Sequence, residues 1–243
     1  ANVFLDVLRD GLPGRGSDIF IPKVDLSTLF PSGAGKFIER NGGEILTARP
    51  VRSIRKKRGG FELTTDREAF SFSHVVCAVA PQHLARLLKE LPEIPIPRFD
   101  YQPICTVYSQ YPEDVGLPRK MIGSTRGLCQ WFFDKGQIGG QKGLISGVIS
   151  AMHPEIAVDG IASKIHEETK SLISDLPDPL WQKVIMEKRA TFSCTVNLDR
   201  PKNATPLRNF HLAGDYTEGR YPATLESAVR SGLSCARRIL DAI

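Results

Sequence analysis

The sequence predicts an α/β (α+β) protein built as two lobes, and three observations carry that reading. The first is the end of the chain. Phe210-His211-Leu212-Ala213 is a short apolar run that reads as a buried strand, and a loop rich in Gly, Arg, Tyr and Pro follows it. Helical spacing then holds from Ala223 to Ile243. The second is a series of short strand-like runs between Glu44 and Val79, with hairpin tips at Gly59-Gly60 and Asp66-Arg67. The third is another group, predicted over 104–111, 120–123, 128–134 and 143–150, whose turn residues suit an antiparallel sheet.

Taken in order, residues 1–10 read as the last turns of an apolar helix carrying Val3, Phe4, Val7 and Leu8, stopped by Gly11. GLPGRG has three glycines, but no strand precedes it, so it reads as a turn and not as a nucleotide fingerprint. Residues 18–29 are an extended stretch ending in a polar cap. PSGAGKFIERNGG reads as a short helix closed by Asn41-Gly42-Gly43, where glycine supplies a left-handed cap. Strands are then predicted over 44–48, 51–55, 61–65, 69–72 and 75–79. The basic cluster Arg55-Lys56-Lys57-Arg58 reads as a solvated hairpin tip that protects a strand edge. Residues 81–91 form a helix opened by Pro81 with Leu84, Leu87, Leu88 and Leu91 inward, and LPEIPIP is a stiff linker into the second lobe.

In that lobe, Cys129-Gln130-Trp131-Phe132-Phe133 could floor an apolar cavity, or equally form ordinary core against a helix. Residues 159–175 have helical spacing with Ile161, Ile165, Thr169, Leu172 and Ile173 on one face, and 184–192 reads as a strand. In the C-terminal helix Leu225, Ala228, Val229, Gly232, Leu233, Ala236, Ile239 and Leu240 fall on one face. Pro222 suits a helix start, where its missing N–H would have had no partner.

Composition narrows the function classes. A chain of 243 residues can bury a sizeable core in one large or two modest domains. A formal net charge of +5 suits an anionic cofactor or membrane surface and is too weak to argue for nucleic acid. The five cysteines are scattered with no C-x-x-C and no zinc spacing, so no metal site is expected, and buried free thiols in a reducing compartment are. No signal peptide or bilayer-spanning run is evident. The expected location is therefore cytoplasmic, with peripheral contact at the inner face of the membrane left open.

A strand, a loop carrying one carboxylate and a helix N-terminus make a place for an anionic or carbonyl-rich ligand. The residues themselves go further. LAGD followed by YPATLESAVRSG closely resembles the C-terminal FAD-binding signature of the flavin amine oxidase and phytoene desaturase superfamily. The resemblance implies that Asp215 hydrogen-bonds the ribityl chain of FAD, with Gly214 beside it among the cofactor-binding residues. It also implies that the N–H groups around Thr224, Leu225 and Glu226 face the pyrimidine edge of the ring, where the helix dipole would stabilise negative charge. Tyr221 packs against the ring or is a structural loop aromatic. A second block matches the same superfamily. Gly43-Glu44-Ile45 precedes a strand whose Val51 would pack beside the adenine, and Cys77-Ala78-Val79-Ala80-Pro81 would pass near the pyrophosphate and ribose at Ala80.

Members of that superfamily open with G-x-G-x-x-G on a first Rossmann unit, which this sequence lacks. The resemblance therefore implies the C-terminal portion of a longer flavoenzyme: a partial FAD-binding Rossmann-like lobe plus a substrate lobe with a mainly antiparallel sheet and helices. The expected divisions are 1–30 as substrate-lobe entry, 31–92 as middle FAD-lobe strands and helix, 93–200 as the substrate-binding lobe, and 201–243 as the C-terminal FAD-binding segment. Its expected partners are an apolar isoprenoid and the missing N-terminal Rossmann segment. This chain alone would then be inactive.

The stretch SDIFIPKVDLSTLFPSGAGKFIERNGGEI and the C-terminal GDYT…YPATLE resemble the hydroxysqualene dehydroxylase branch of hopanoid biosynthesis. That resemblance implies reductive removal of a hydroxyl from a C30 substrate, with hydride delivered from reduced flavin. A carotenoid desaturase, an amine oxidase, or a catalytically silent lipid- or partner-binding module are the alternatives. Asp134, Glu218 and Tyr221 are weak candidates for an acid that helps water leave, so no catalytic residue is assigned. His211 reads as a core histidine, and Lys120 and Lys135 have no supporting motif.

Overall fold

The computed structural model describes Leu5, Leu8, Arg9 and residues 18–152 and 158–242. The GLPGRG turn and most of the expected N-terminal helix end lie outside the described residues. In chain order the elements are α1 (Leu26–Leu29), α2 (Pro31–Arg40), β1 (Ser53–Lys57), β2 (Gly60–Thr64), β3 (Ala69–Phe72), β4 (Val75–Cys77) and α3 (Pro81–Leu87). They continue with β5 (Tyr101–Gln110), β6 (Met121–Gly123), β7 (Trp131–Asp134), α4 (Lys135–Gly139), β8 (Leu144–Ser150), α5 (Ile161–Lys170), β9 (Trp181–Phe192), β10 (Phe210–Leu212) and α6 (Leu225–Leu240). Residues 46–100 and 192–242 belong to one compact unit, and 19–45 and 101–191 to another.

In the first unit, β1, β2 and β3 form an antiparallel meander. Lys57 pairs with Gly60 across the basic tip, where Gly59 takes φ +85°. The predicted strand over 44–48 is not formed. Ala48 sits at φ +53° just before Arg49-Pro50, and proline has no N–H for a ladder and biases its neighbour. β4 and β10 pair in parallel, Val75 with Phe210 and Cys77 with Leu212, and every residue of β10 is buried. Phe61 of β2 meets Phe210 edge-on, with ring centroids 5.3 Å apart. α3 buries Leu84 and Leu87, and Leu88, Leu91 and Ile94 continue the same core beyond its end.

α6 does not bury its apolar row. Its buried residues are Ser227, Ser231 and Cys235, at four-residue spacing, and the Cys235 thiol donates to the Leu212 carbonyl of β10 at 3.3 Å. The apolar row Leu225, Val229, Leu233 and Leu240 is exposed instead. Small polar side chains let the helix lie close against the strand backbone, whereas the bulkier row has no partner among the described residues. The cysteine expectation also needs one correction. Cys77, Cys105, Cys129 and Cys235 are buried free thiols, but Cys194 is exposed.

The second unit is built on a five-stranded sheet in the order β6-β7-β8-β5-β9, with antiparallel pairing at β5/β8, β7/β8 and β6/β7. Its core includes Cys105, Val107, Tyr111, Phe132, Ile149 and Ile165. α5 turns Ile161, Ile165 and Thr169 inward as their spacing predicts. Gly147 of β8 is required by that packing, because a Cβ there would lie 2.8 Å from Ile165 Cγ2 and 3.1 Å from Cys129 Sγ. The aromatic run alternates as a strand should: Phe132 is buried and Trp131 exposed. α4 was not evident in the sequence and starts where Asp134 caps it. Among the described residues, no helix is long and apolar enough to cross a membrane.

Candidate functional site

Because β4 and β10 run in parallel and side by side, the segments that leave their C-terminal ends emerge at the same sheet edge. The Ala213 N–H donates to the Cys77 carbonyl at 3.0 Å, which fixes the two exits relative to one another. Ala80 follows one exit and Gly214-Asp215 the other. In open α/β sheets this carboxyl edge is where ligands bind.

Gly214 shapes the turn after β10. It holds φ +152°, and a Cβ on it would stand 2.4 Å from the ring of Tyr216, which is buried. The Gly214 N–H donates to Ser231 Oγ of α6 at 2.8 Å. The Gly214 carbonyl accepts from the Thr217 hydroxyl at 2.9 Å and from the Thr217 N–H at 3.2 Å. The Asn203 amide adds donors to the Leu212 carbonyl at 2.9 Å and to Thr217 Oγ1 at 3.3 Å. The turn is therefore held from three separate parts of the chain.

The next loop, from Asp215 to Pro222, closes around Arg200. The Arg200 guanidinium donates to the carbonyls of Asp215 (2.5 Å), Tyr221 (2.7 Å) and Gly219 (3.3 Å) and to Ser227 Oγ (3.1 Å). Burial pushes the Asp215 carboxyl above the ordinary carboxylate range, and the Arg200 charge offsets only part of that shift. Burial likewise lowers the pKa of Arg200.

Thr224 caps α6, its Oγ1 accepting from the Ser227 N–H at 3.1 Å. The first intrahelical bond runs from Ala228 N–H to the Thr224 carbonyl. The N–H groups of Leu225 and Glu226 are left open among the described residues, at the positive end of the helix. Glu226 would repel an anion there, but its carboxylate pairs with Arg230 at 2.5 Å. The same guanidinium lies over the Tyr221 ring, 5.0 Å from its centroid.

Six of the eight expected cofactor residues, Gly214, Asp215, Tyr221, Thr224, Leu225 and Glu226, thus lie on one turn and one helix start. Ala80 is exposed at the N-terminal cap of α3, on the neighbouring strand exit. Val51 is half-buried just before the β1 ladder, and among the described residues no hydrogen bond or ring contact joins it to the others. Residues 192–200 and 218–222 enclose a cavity of about 640 Å³ whose lining includes Phe192, Cys194, Arg200, Glu218 and Pro222.

The weaker candidates have other occupations. Asp134 is buried and accepts from the N–H groups of Leu117 and Gln137 and from the Gln137 amide, so its carboxylate is spent on a cap. Glu218 is exposed, and its N–H donates to the Pro201 carbonyl at 2.8 Å. His211 is buried in β10 with Nδ1 unpartnered. Ser231, Ser227, Thr217, Asn203 and Arg200 were not anticipated. The two serines carried one signal, a four-residue polar spacing inside an apolar helix. Thr217 lies in the GDYT run itself, whereas Asn203 and Arg200 carried none.

The profile of the family described as flavin containing amine oxidoreductase matches residues 15–240. A hydroxysqualene dehydroxylase of Zymomonas mobilis is 33% identical over 241 residues, covering 95% of this chain and 55% of that protein. A hydroxysqualene dehydroxylase of Rhodopseudomonas palustris is 33% identical over 175 residues, covering 69% of this chain and 38% of that protein. The chain spans at most about half the length of these curated relatives. Among solved structures, a putrescine oxidase variant superposes with TM-score 0.66 at 16% identity, covering 88% of this chain and 53% of that one. A protoporphyrinogen oxidase from Exiguobacterium does so with TM-score 0.60 at 13% identity, covering 88% and 52%. These two likenesses concern the fold.

Proposed function

Because the chain belongs to the flavin-containing amine oxidoreductase family, whose cofactor is FAD, we propose that it forms the flavin-ring half of an FAD-dependent oxidoreductase acting on an apolar isoprenoid. The reaction we assign to the whole protein is reductive dehydroxylation of hydroxysqualene to squalene. The observation that supports the cofactor reading is the parallel β4/β10 pair, from whose carboxyl edge the Gly214-Asp215 turn and the segment leading to Ala80 both depart. The residues suit the group. One carboxylate can accept from ribityl hydroxyls, and two open N–H groups at a helix N-terminus can donate to the carbonyl edge of the ring. When bound, FAD supplies the hydride chemistry; this chain's residues bind it, orient it and set the local charge. The substrate reading is supported by the names of the Zymomonas and Rhodopseudomonas relatives. Likeness to phytoene desaturase of an Oncidium hybrid, 41% identical, is confined to 60 residues, 24% of this chain, and so supports the desaturase alternative less.

The partner we assign is the N-terminal Rossmann segment of the same protein, which would supply the ADP half of the site. The exposed row Leu225, Val229 and Leu233 on α6 supports that reading, since a contiguous exposed apolar row suits a face that another segment covers. A C30 substrate partitions into lipid, which supports a working position in the cytoplasm against the inner face of the membrane. The deciding experiment incubates the full-length enzyme with hydroxysqualene, FAD and a reductant. Squalene is the expected product, and its absence from a preparation holding stoichiometric flavin overturns the substrate assignment.

A further inference from the structure

We propose that Arg200 is the positioning residue of this site: its guanidinium clamps the Asp215–Pro222 loop in the shape that presents the Asp215 side chain and the open N–H groups of α6. The inference rests on the FAD reading above for its purpose, and on the following contacts for its substance.

Arg200 reaches two stretches that are far from it in sequence. Nη2 donates to the Asp215 carbonyl and to Ser227 Oγ, 15 and 27 residues away, and Nη1 donates to the carbonyls of Tyr221 and Gly219, 21 and 19 residues away. Three of the four acceptors are backbone carbonyls of one loop that has no regular structure. A loop of this kind must direct its carbonyls somewhere, because burying them without donors is costly. Here one planar fork takes three of them and ties them to the first turn of α6 through Ser227, whose hydroxyl also donates to the Asp215 carbonyl at 3.3 Å. Thr224, which caps that turn, and Asp215, which starts the loop, are thereby set relative to each other. The Phe192 ring supports the guanidinium from another side, 5.4 Å from its centroid.

The geometry calls for arginine and not for charge alone. The two terminal nitrogens each serve two acceptors, which a rigid planar fork can do. A single ammonium has three donors on one freely rotating point. Among the described residues the guanidinium makes no ion pair: its four hydrogen-bond acceptors are neutral oxygens, and the Asp215 and Glu218 carboxylates act on it only through their charge. Nε is buried without a partner, which marks the end of the fork not used by the loop.

The test compares the native chain with Arg200→Lys, Arg200→Ala and the surface control Lys202→Ala, by amide hydrogen exchange without flavin. Exchange of the amides over 216–224 is expected to rise at least tenfold in both Arg200 variants. Amides of β5 and β8 and the whole of the control should stay unchanged. Millimolar guanidinium chloride, but not methylammonium chloride at equal ionic strength, should restore protection in Arg200→Ala. Unchanged exchange in the loop, equal acceleration throughout the chain, or full protection in Arg200→Lys overturns the clamp. A parallel flavin titration of the full-length enzyme should show at least tenfold weaker FAD binding in Arg200→Lys. Loosened exchange with unchanged FAD affinity overturns the presenting role. Absence of FAD binding by the native enzyme would instead defeat the cofactor reading, with the exchange arm still deciding the clamp.

Discussion

Gly214 and Ser231 are joined by a 2.8 Å hydrogen bond that ties the end of β10 to the middle of α6. The Ser231 hydroxyl accepts from the Gly214 N–H and donates to the Ala228 carbonyl of its own helix. Ser231→Ala would leave that N–H without its acceptor, and we expect a loss of about 1–3 kcal/mol in stability. The check is denaturation of the first unit followed by hydrogen exchange at Leu212 and Ala213, because both tryptophans, Trp131 and Trp181, lie in the second unit.

Asp215 should show a trade between stability and binding. Burial raises its carboxyl pKa in the fold, so the folded state holds the proton more tightly than the unfolded state. Stability therefore falls as pH rises from the ordinary carboxylate value of 3.8 through the raised one. Asp215→Asn removes that titration, so at neutral pH the variant without cofactor should melt no lower than the native chain. Its FAD affinity should drop about tenfold, the equivalent of one lost charge-assisted hydrogen bond. Melting curves at pH 4 and pH 7 and a flavin titration check the two halves separately.

His211 gives the opposite slope. Burial lowers its pKa, with Arg238 and His74 adding to the effect. The unfolded chain then takes up the proton first, so stability should be full above pH 6.5 and should fall as pH drops toward the depressed value. His211→Gln should flatten melting temperature against pH between about 5 and 7. An unchanged slope in the variant would assign the acid loss to other groups.

The exposed row on α6 makes a prediction about the isolated chain. Val229→Glu with Leu233→Glu should reduce binding of a hydrophobic dye and self-association, while stability stays within about 0.5 kcal/mol. In the full-length protein the same pair should destabilise the fold. Equal, small effects in both would argue that nothing covers this face.

Gly147 tests the packing of the second unit. A Cβ at that position would lie 2.8 Å from Ile165 Cγ2, so Gly147→Ala should cost about 1–3 kcal/mol. Ile165→Ala, which removes Cγ2, should make the double variant less destabilised than the sum of the two single variants. Tryptophan fluorescence is the suitable probe, since Trp131 pairs directly with Val148 of β8.

Much of this was legible from local chemistry. The strand-loop-helix from Phe210 onward declares itself through an apolar run, a glycine-aspartate turn and helical spacing. The antiparallel segments between residues 101 and 150 declare themselves through alternation and turn residues. The strand expected over 44–48 is not formed because Ala48 turns to φ +53° ahead of Arg49-Pro50, a feature that apolar alternation does not register. α4 was missed because its signal is a single carboxylate, Asp134, whose role as a cap depends on where Leu117 and Gln137 come to rest.

By itself the sequence determined that α6 would be a helix with an apolar row, and that Gly214-Asp215 would follow a buried strand. Periodicity and turn chemistry act over a few residues, and that information is complete in the local order of side chains. Only the tertiary structure decided which side of α6 meets β10, because a helix with small residues on one edge and large ones on another can dock by either. It chose Ser227, Ser231 and Cys235, whose size permits close approach to the strand backbone. The tertiary structure alone also brought Arg200 to the Asp215 loop, since contacts between residues 15 to 27 positions apart leave no trace in local pattern.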